Sequence, residues 1–124
     1  MTRLRGFTLI EILVALAIIA VALAAGMRAL TQSAESATAL KARTLGLWVA
    51  QNRLAAAQVA TPWPATGTYR GNAAEAGAQF LWREAVTTTP NPAFRRIEIS
   101  VMEPDSPDYQ VARLVGFIGN SQPQ

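Results

Sequence analysis

The chain has 124 residues, 51% of them apolar, with no Cys, no His and a formal net charge of +3. That length holds one domain at most. The missing residue types exclude disulfides, redox motifs, thiolate metal sites and histidine bases or ligands, and no cofactor is expected. Setting aside Arg3 and Arg5 leaves nine basic against eight acidic side chains, scattered, with Arg95-Arg96 the one adjacent pair. No basic stripe exists to follow a phosphate backbone, which argues against a nucleic-acid partner.

The first element is the apolar run from Phe7 to Met27, preceded by Arg3 and Arg5, followed by Arg28 and interrupted by one acid, Glu11. As a helix its 21 residues reach about 31 Å, the thickness of a bilayer core. Three readings compete. One is a cleaved secretory signal with an A-x-A site at Ala22-Leu23-Ala24. A second is a plain anchor, its amino terminus held in the cytoplasm by Arg3 and Arg5. The third is a helix retained after a cut immediately before it, behind Gly6.

Glu11 separates these readings. A carboxylate inside an inserted helix costs up to about 2.5–3.5 kcal/mol, less near the interface. Neither a signal peptide nor a simple anchor needs that charge. If the chain begins at Phe7, Glu11 lies about 6 Å along the helix from a new α-amine. It can then meet the amine of another subunit in an apolar bundle, where opposite charges attract strongly.

The stretch Arg5-Gly6-Phe7-Thr8-Leu9-Ile10-Glu11, followed by a long apolar helix, resembles the signal of type IV pilins and type II secretion pseudopilins. The resemblance implies that a prepilin peptidase cuts after Gly6 and N-methylates Phe7. It also implies that Glu11 pairs with a neighbour's amino terminus during filament assembly.

From Arg28 to Ala60 there is no Pro and much Ala, so the helix is expected to continue to about residue 60. Leu40, Leu47, Ala50, Leu54 and Ala57 recur at helical spacing, widened by Trp48 and Val49, and read as the seat of a sheet. Pro62 and Pro64 end the helix. Residues 61–78 read as a loop, with at most a short strand around Tyr69 and with Trp63 and Tyr69 as apolar pins.

Three strands are predicted within 79–118. Gln79–Thr87 sets Phe80, Trp82, Glu84 and Val86 against Leu81, Arg83 and Ala85. Arg96–Met102 places Ile97, Ile99 and Val101 inward and Glu98, Ser100 and Met102 outward. Tyr109–Ile118 aligns Ala112, Leu114, Gly116 and Ile118. The breakers between them are too short for parallel crossovers, so the strands are expected to be antiparallel. Gly119–Gln124 reads as a frayed tail. The fold class is α+β: one long helix, its first half membrane-spanning (7–27), with a small antiparallel sheet on the C-terminal half of a 28–124 periplasmic domain. The expected core is Leu47, Trp48, Leu54, Trp82, Ile97, Ile99, Val101 and Leu114.

Leu47-Trp48-Val49-Ala50-Gln51-Asn52-Arg53-Leu54-Ala55, Trp63-Pro64 with the following Gly67 and Gly71, Trp82, and the strand start Arg95-Arg96-Ile97 are similar to the GspI family of type II secretion minor pseudopilins. That resemblance implies a non-enzymatic subunit of a pseudopilus tip complex, which starts assembly and supports export of folded proteins. The implied partners are GspJ-, GspK- and GspH-like minor pseudopilins, the major pseudopilin, the prepilin peptidase and the inner-membrane assembly platform. The implied location is the inner membrane, single-pass, with the C-terminal domain periplasmic.

Three rival functions remain. A minor pilin of a type IV pilus shares the leader, although the short chain and absent Cys lean toward secretion. A hydrolase would have to use Glu84 with Glu98 or Asp105, yet no nucleophile motif accompanies them. A periplasmic protein cut after Ala24 would begin at Ala25. Glu103, Asp105 and Asp108 share one loop and read as a solvated turn rather than a cation site.

Overall fold

The computed structural model describes residues 6–120. The basic leader through Arg5 and the tail from Ser121 lie outside the described residues. Helix α1 runs Leu9–Val59, followed by strands β1 (Gly67–Glu75), β2 (Ala78–Thr88), β3 (Phe94–Glu103) and β4 (Ser106–Gly119). Two compact units divide the chain, Met1–Ala39 and Leu40–Gln124.

In the first unit the described chain is helix from Leu9, and the apolar side chains from Phe7 onward are exposed: Phe7 is 84% accessible and Ile10, Leu16 and Val21 follow it. α1 is long and apolar enough to cross a membrane, and none of its most apolar window is buried within the protein.

In the second unit a four-stranded antiparallel meander, ordered β1-β2-β3-β4, packs on the end of α1. Ile97, Ile99, Val101 and Ile118 are fully buried, with Val49 and Ala50 supplied by the helix. Small residues set the distance of approach. A Cβ on Gly46 would come within 2.8 Å of Val111, and one on Gly116 within 2.7 Å of Leu54.

Three sequence expectations are corrected here. The helix buries Leu45, Gly46, Val49, Ala50 and Ala57, whereas Leu47 and Trp48 are 37% and 48% exposed. A helix turns about 100° per residue, so Leu47 and Trp48 rotate away from the face that Gly46 and Ala50 bring against the sheet. The seat combines Leu45 and Val49 with the small residues Gly46, Ala50 and Ala57. Leu54, Trp82 and Leu114 are partly buried against the core.

The sheet also has four strands rather than three. β1 occupies most of the segment read as loop, and Glu75 is joined to Ala78 through Ala76 and Gly77, both at positive φ, as a tight two-residue hairpin requires. Its inward positions Gly71 and Ala73 are too small to show an apolar alternation. Ser100, expected outward, is buried, and lies in register between the long residues Arg83 and Arg113 on the same sheet face.

Ile97→Ala in the detergent-solubilised chain should lower unfolding stability by about 2–5 kcal/mol, while Leu47→Ala should stay within about 0.5 kcal/mol. Denaturant titration measures both, and equal losses would restore Leu47 to the core.

Candidate functional site

At the start of α1 the sequence Thr8-Leu9-Ile10-Glu11 forms a capping box. The Glu11 N–H donates to Thr8 Oγ1 at 3.2 Å, and the Thr8 N–H donates to Glu11 Oε2 at 3.2 Å. Two helix-start donors that would otherwise go unsatisfied are thereby matched reciprocally. Glu11 Oε1 has no hydrogen bond among the described residues. Gly6 and Phe7 precede the box, both exposed, and a Cβ on Gly6 would meet nothing within 4 Å. The structure thus gathers Gly6, Phe7 and Glu11 within one helix start. The T-x-x-E pattern was visible in the sequence and announces Thr8, which the sequence reading left unassigned.

A second constellation joins helix to sheet. Glu84 on β2 is 5% exposed and accepts from Arg53 Nε at 2.5 Å. The Arg53 guanidinium lies 3.9 Å from the centre of the Trp82 ring. That ring in turn covers Gly71, where a Cβ would approach it to 2.3 Å, and its indole N–H donates to the Asn72 carbonyl at 3.3 Å. A buried carboxylate needs such a partner. The pattern that could have announced the pair, an acid among inward-facing apolar residues of β2, was in the sequence, but its partner 31 residues away was not. Nearby, Arg95 stacks 3.8 Å over Trp63 and donates to the Pro64 carbonyl, while Tyr69 Oη donates to the Ala65 carbonyl at 2.7 Å. Both aromatic pins of the connecting segment are thereby tied down.

On the opposite sheet face Glu98 accepts from Arg113 Nε at 2.7 Å and Arg96 Nη1 at 3.2 Å. The Arg113 hydrogen bond, opposed by partial burial and helped by Arg96, holds the Glu98 carboxyl below its ordinary value. In the β2–β3 register Glu98 faces Ala85 and Glu84 faces Ile99, so the two carboxylates lie on opposite faces. Each is engaged by arginine, and they form no acid–base pair. Among the described residues no group of three or more acidic side chains is placed to hold a metal.

Against known proteins, residues 1–27 match the prokaryotic N-terminal methylation motif, and residues 40–119 match the family model for type II secretion system (T2SS), protein I. The chain is 38% identical over 130 residues to type II secretion system protein I of Pseudomonas aeruginosa, covering 99% of this chain and 100% of that one. This chain belongs to the type II secretion system protein I family. Relatives of the same name in Aeromonas hydrophila (29% identical, 92% of this chain and 96% of the relative) and Pectobacterium carotovorum (32%, 82% and 84%) agree. The expected resemblance is thus met along both parts of the chain, and membership of the secretion family disfavours the type IV pilus alternative.

Because the folded Glu98 carboxyl titrates below its unfolded value, its stabilising effect is present above the unfolded carboxylate range and is lost as pH falls through the folded value. Thermal unfolding of the protein against Glu98→Gln should therefore show a gap at pH 6–7 that closes below about pH 4. A gap that widens in acid would contradict this assignment.

Proposed function

We propose that this member of the type II secretion protein I family is a structural minor pseudopilin, placed at the pseudopilus tip, where it helps start assembly and supports export of folded proteins. One observation carries the reading: a methylation-motif segment whose Glu11 is locally capped, heading an exposed apolar helix, on a chain whose remainder matches the family. The role is one of packing and binding rather than catalysis. Of the carboxylates weighed for a hydrolase, Glu84 and Glu98 are each engaged by arginine on opposite faces.

In this proposal residues 7–27 span the inner membrane, with Arg3 and Arg5 holding the amino terminus in the cytoplasm and the domain from 28 onward in the periplasm. The prepilin peptidase removes residues 1–6 and methylates the Phe7 amine. Methylation keeps the positive charge and leaves N–H groups to donate. Glu11 offers Oε2 to its own Thr8, and Oε1 then accepts from the amine of a neighbouring subunit. Such a charge-assisted bond is stronger in an apolar bundle than in water.

After assembly the apolar helix surface that lipid covered is covered by neighbouring helices. Leu47, Trp48 and Val59, exposed on α1, extend that contact toward GspJ-, GspK- and GspH-like subunits and the major pseudopilin. The inner-membrane assembly platform supplies the extraction step.

Mass spectrometry of the mature protein tests the first event. It should report a chain beginning at N-methylated Phe7, and Gly6→Leu should leave the precursor uncut in the membrane. A chain beginning at Ala25, or efficient processing of Gly6→Leu, would contradict the proposal.

A further inference from the structure

Arginines that lie far apart in sequence meet on the sheet face turned away from the end of α1. In the strand register Arg70 of β1 stands opposite Arg83 of β2, Arg83 opposite Ser100 of β3, and Ser100 opposite Arg113 of β4. With neighbouring strands about 4.8 Å apart, the row is about 14 Å long. Arg96 and Glu98 share this face, and Glu98, its one acid, is already bonded to Arg96 and Arg113. Exposed Val115 and Phe117 lie beside the row, an aromatic and arginine composition typical of protein interfaces.

Arg70 and Arg83 are held by nothing comparable. Their side chains have no hydrogen-bond or ion-pair partner among the described residues. The two-residue turn makes Glu75–Ala78 a hydrogen-bonded pair, and alternation along the ladder makes Arg70–Arg83 a non-hydrogen-bonded one. Side chains come closest in such pairs, and like charges directly opposite destabilise a sheet. The face therefore carries a positive excess that selects carboxylates.

Matching charge stands on the same chain. Glu103, Asp105 and Asp108 surround the β3–β4 turn, both aspartates are exposed, and none of the three side chains has a partner among the described residues. Pro104 and Pro107 restrict the backbone around Asp105, so the turn has little freedom to lose on binding. Glu103 is already about 10 Å along β3 from Ser100, so the turn lies past its own row rather than over it.

We propose that the acidic β3–β4 turn of one copy docks on the Arg70–Arg83–Arg113 row of a second copy. Carboxylates meet guanidinium groups in charge-assisted bonds, and the pairing relieves the Arg70–Arg83 repulsion. The contact is heterologous: each joined pair keeps one free row and one free turn. It concerns the second unit alone, so its failure leaves leader processing and Glu11 pairing untouched.

The test measures self-association of the full chain by sedimentation in detergent, with micelles in excess over protein. Arg70→Glu with Arg83→Glu reverses the row, and Asp105→Arg with Asp108→Arg reverses the turn; neither change breaks an ion pair of the fold. The unaltered chain should associate saturably, and each variant alone at least about tenfold more weakly. Mixing the two variants should restore association, because an unaltered turn then meets an unaltered row. The milder changes Arg83→Gln and Asp105→Asn should each weaken association in the same direction. Raising salt from about 0.01 M to about 1 M shortens the screening length from about 30 Å to about 3 Å and should weaken the unaltered pair at least about tenfold. A monomeric unaltered chain, association indifferent to salt or to all the variants, or reversed variants that stay apart when mixed would overturn the proposal.

Discussion

A carboxylate inside an apolar helix is the constraint on which the rest of this molecule turns. α1 exposes its large apolar side chains for its first several turns, so it requires lipid or other helices around it. Within that surface Glu11 is the one ionisable residue before Arg28. The Thr8–Glu11 box lessens its desolvation without neutralising it: one oxygen is bonded locally, while the charge and the other oxygen remain. A chain arranged this way keeps an acceptor oxygen free, which under the proposed function a cationic amine meets. The proposed anchor and the proposed assembly element are thereby the same residues.

The second unit answers a different requirement, that of holding a small sheet on a single helix. Gly46, Ala50 and Ala57 on the helix and Gly116 on β4 allow close approach, and a fully buried row of Ile97, Ile99 and Val101 fills the space. Arg53, Trp82 and Glu84 fix the rotation of the helix against β2, since a buried carboxylate without its guanidinium would be strongly destabilising. The large residues Leu47 and Trp48 are thereby left facing outward, which gives the helix an apolar surface in water as well as in lipid.

Much of this was legible in the sequence, for identifiable reasons. The apolar run and its acid, the prolines that stop the helix, and the alternation of Ile97, Ile99 and Val101 are local signals that tertiary context did not override. What escaped was whatever depended on residues far apart or on small side chains. β1 was hidden because Gly71 leaves room for Trp82 instead of contributing a side chain of its own. The helix seat was read rightly at Val49, Ala50, Leu54 and Ala57, but Gly46 was missed because it matters through its size, while hydrophobicity alone favoured Leu40, Leu47 and Trp48. At the functional end Gly6, Phe7 and Glu11 were readable from their motif, yet the cap on Glu11 required noticing that Thr8 stands three residues before it.

Taken together, the family membership, the capped acid and the exposed helix support a subunit that is first an anchored precursor and then a packing element. In the proposed reading that transfer depends on the free charge of Glu11 rather than on the helix cap. It is tested most directly by comparing how Glu11→Ala protein divides between the inner membrane and isolated pseudopili. Normal membrane insertion with loss from the assembled fraction is the predicted result, because alanine removes the charge and suits lipid better. Assembly and secretion equal to those of the unaltered chain would contradict the central role given to this carboxylate.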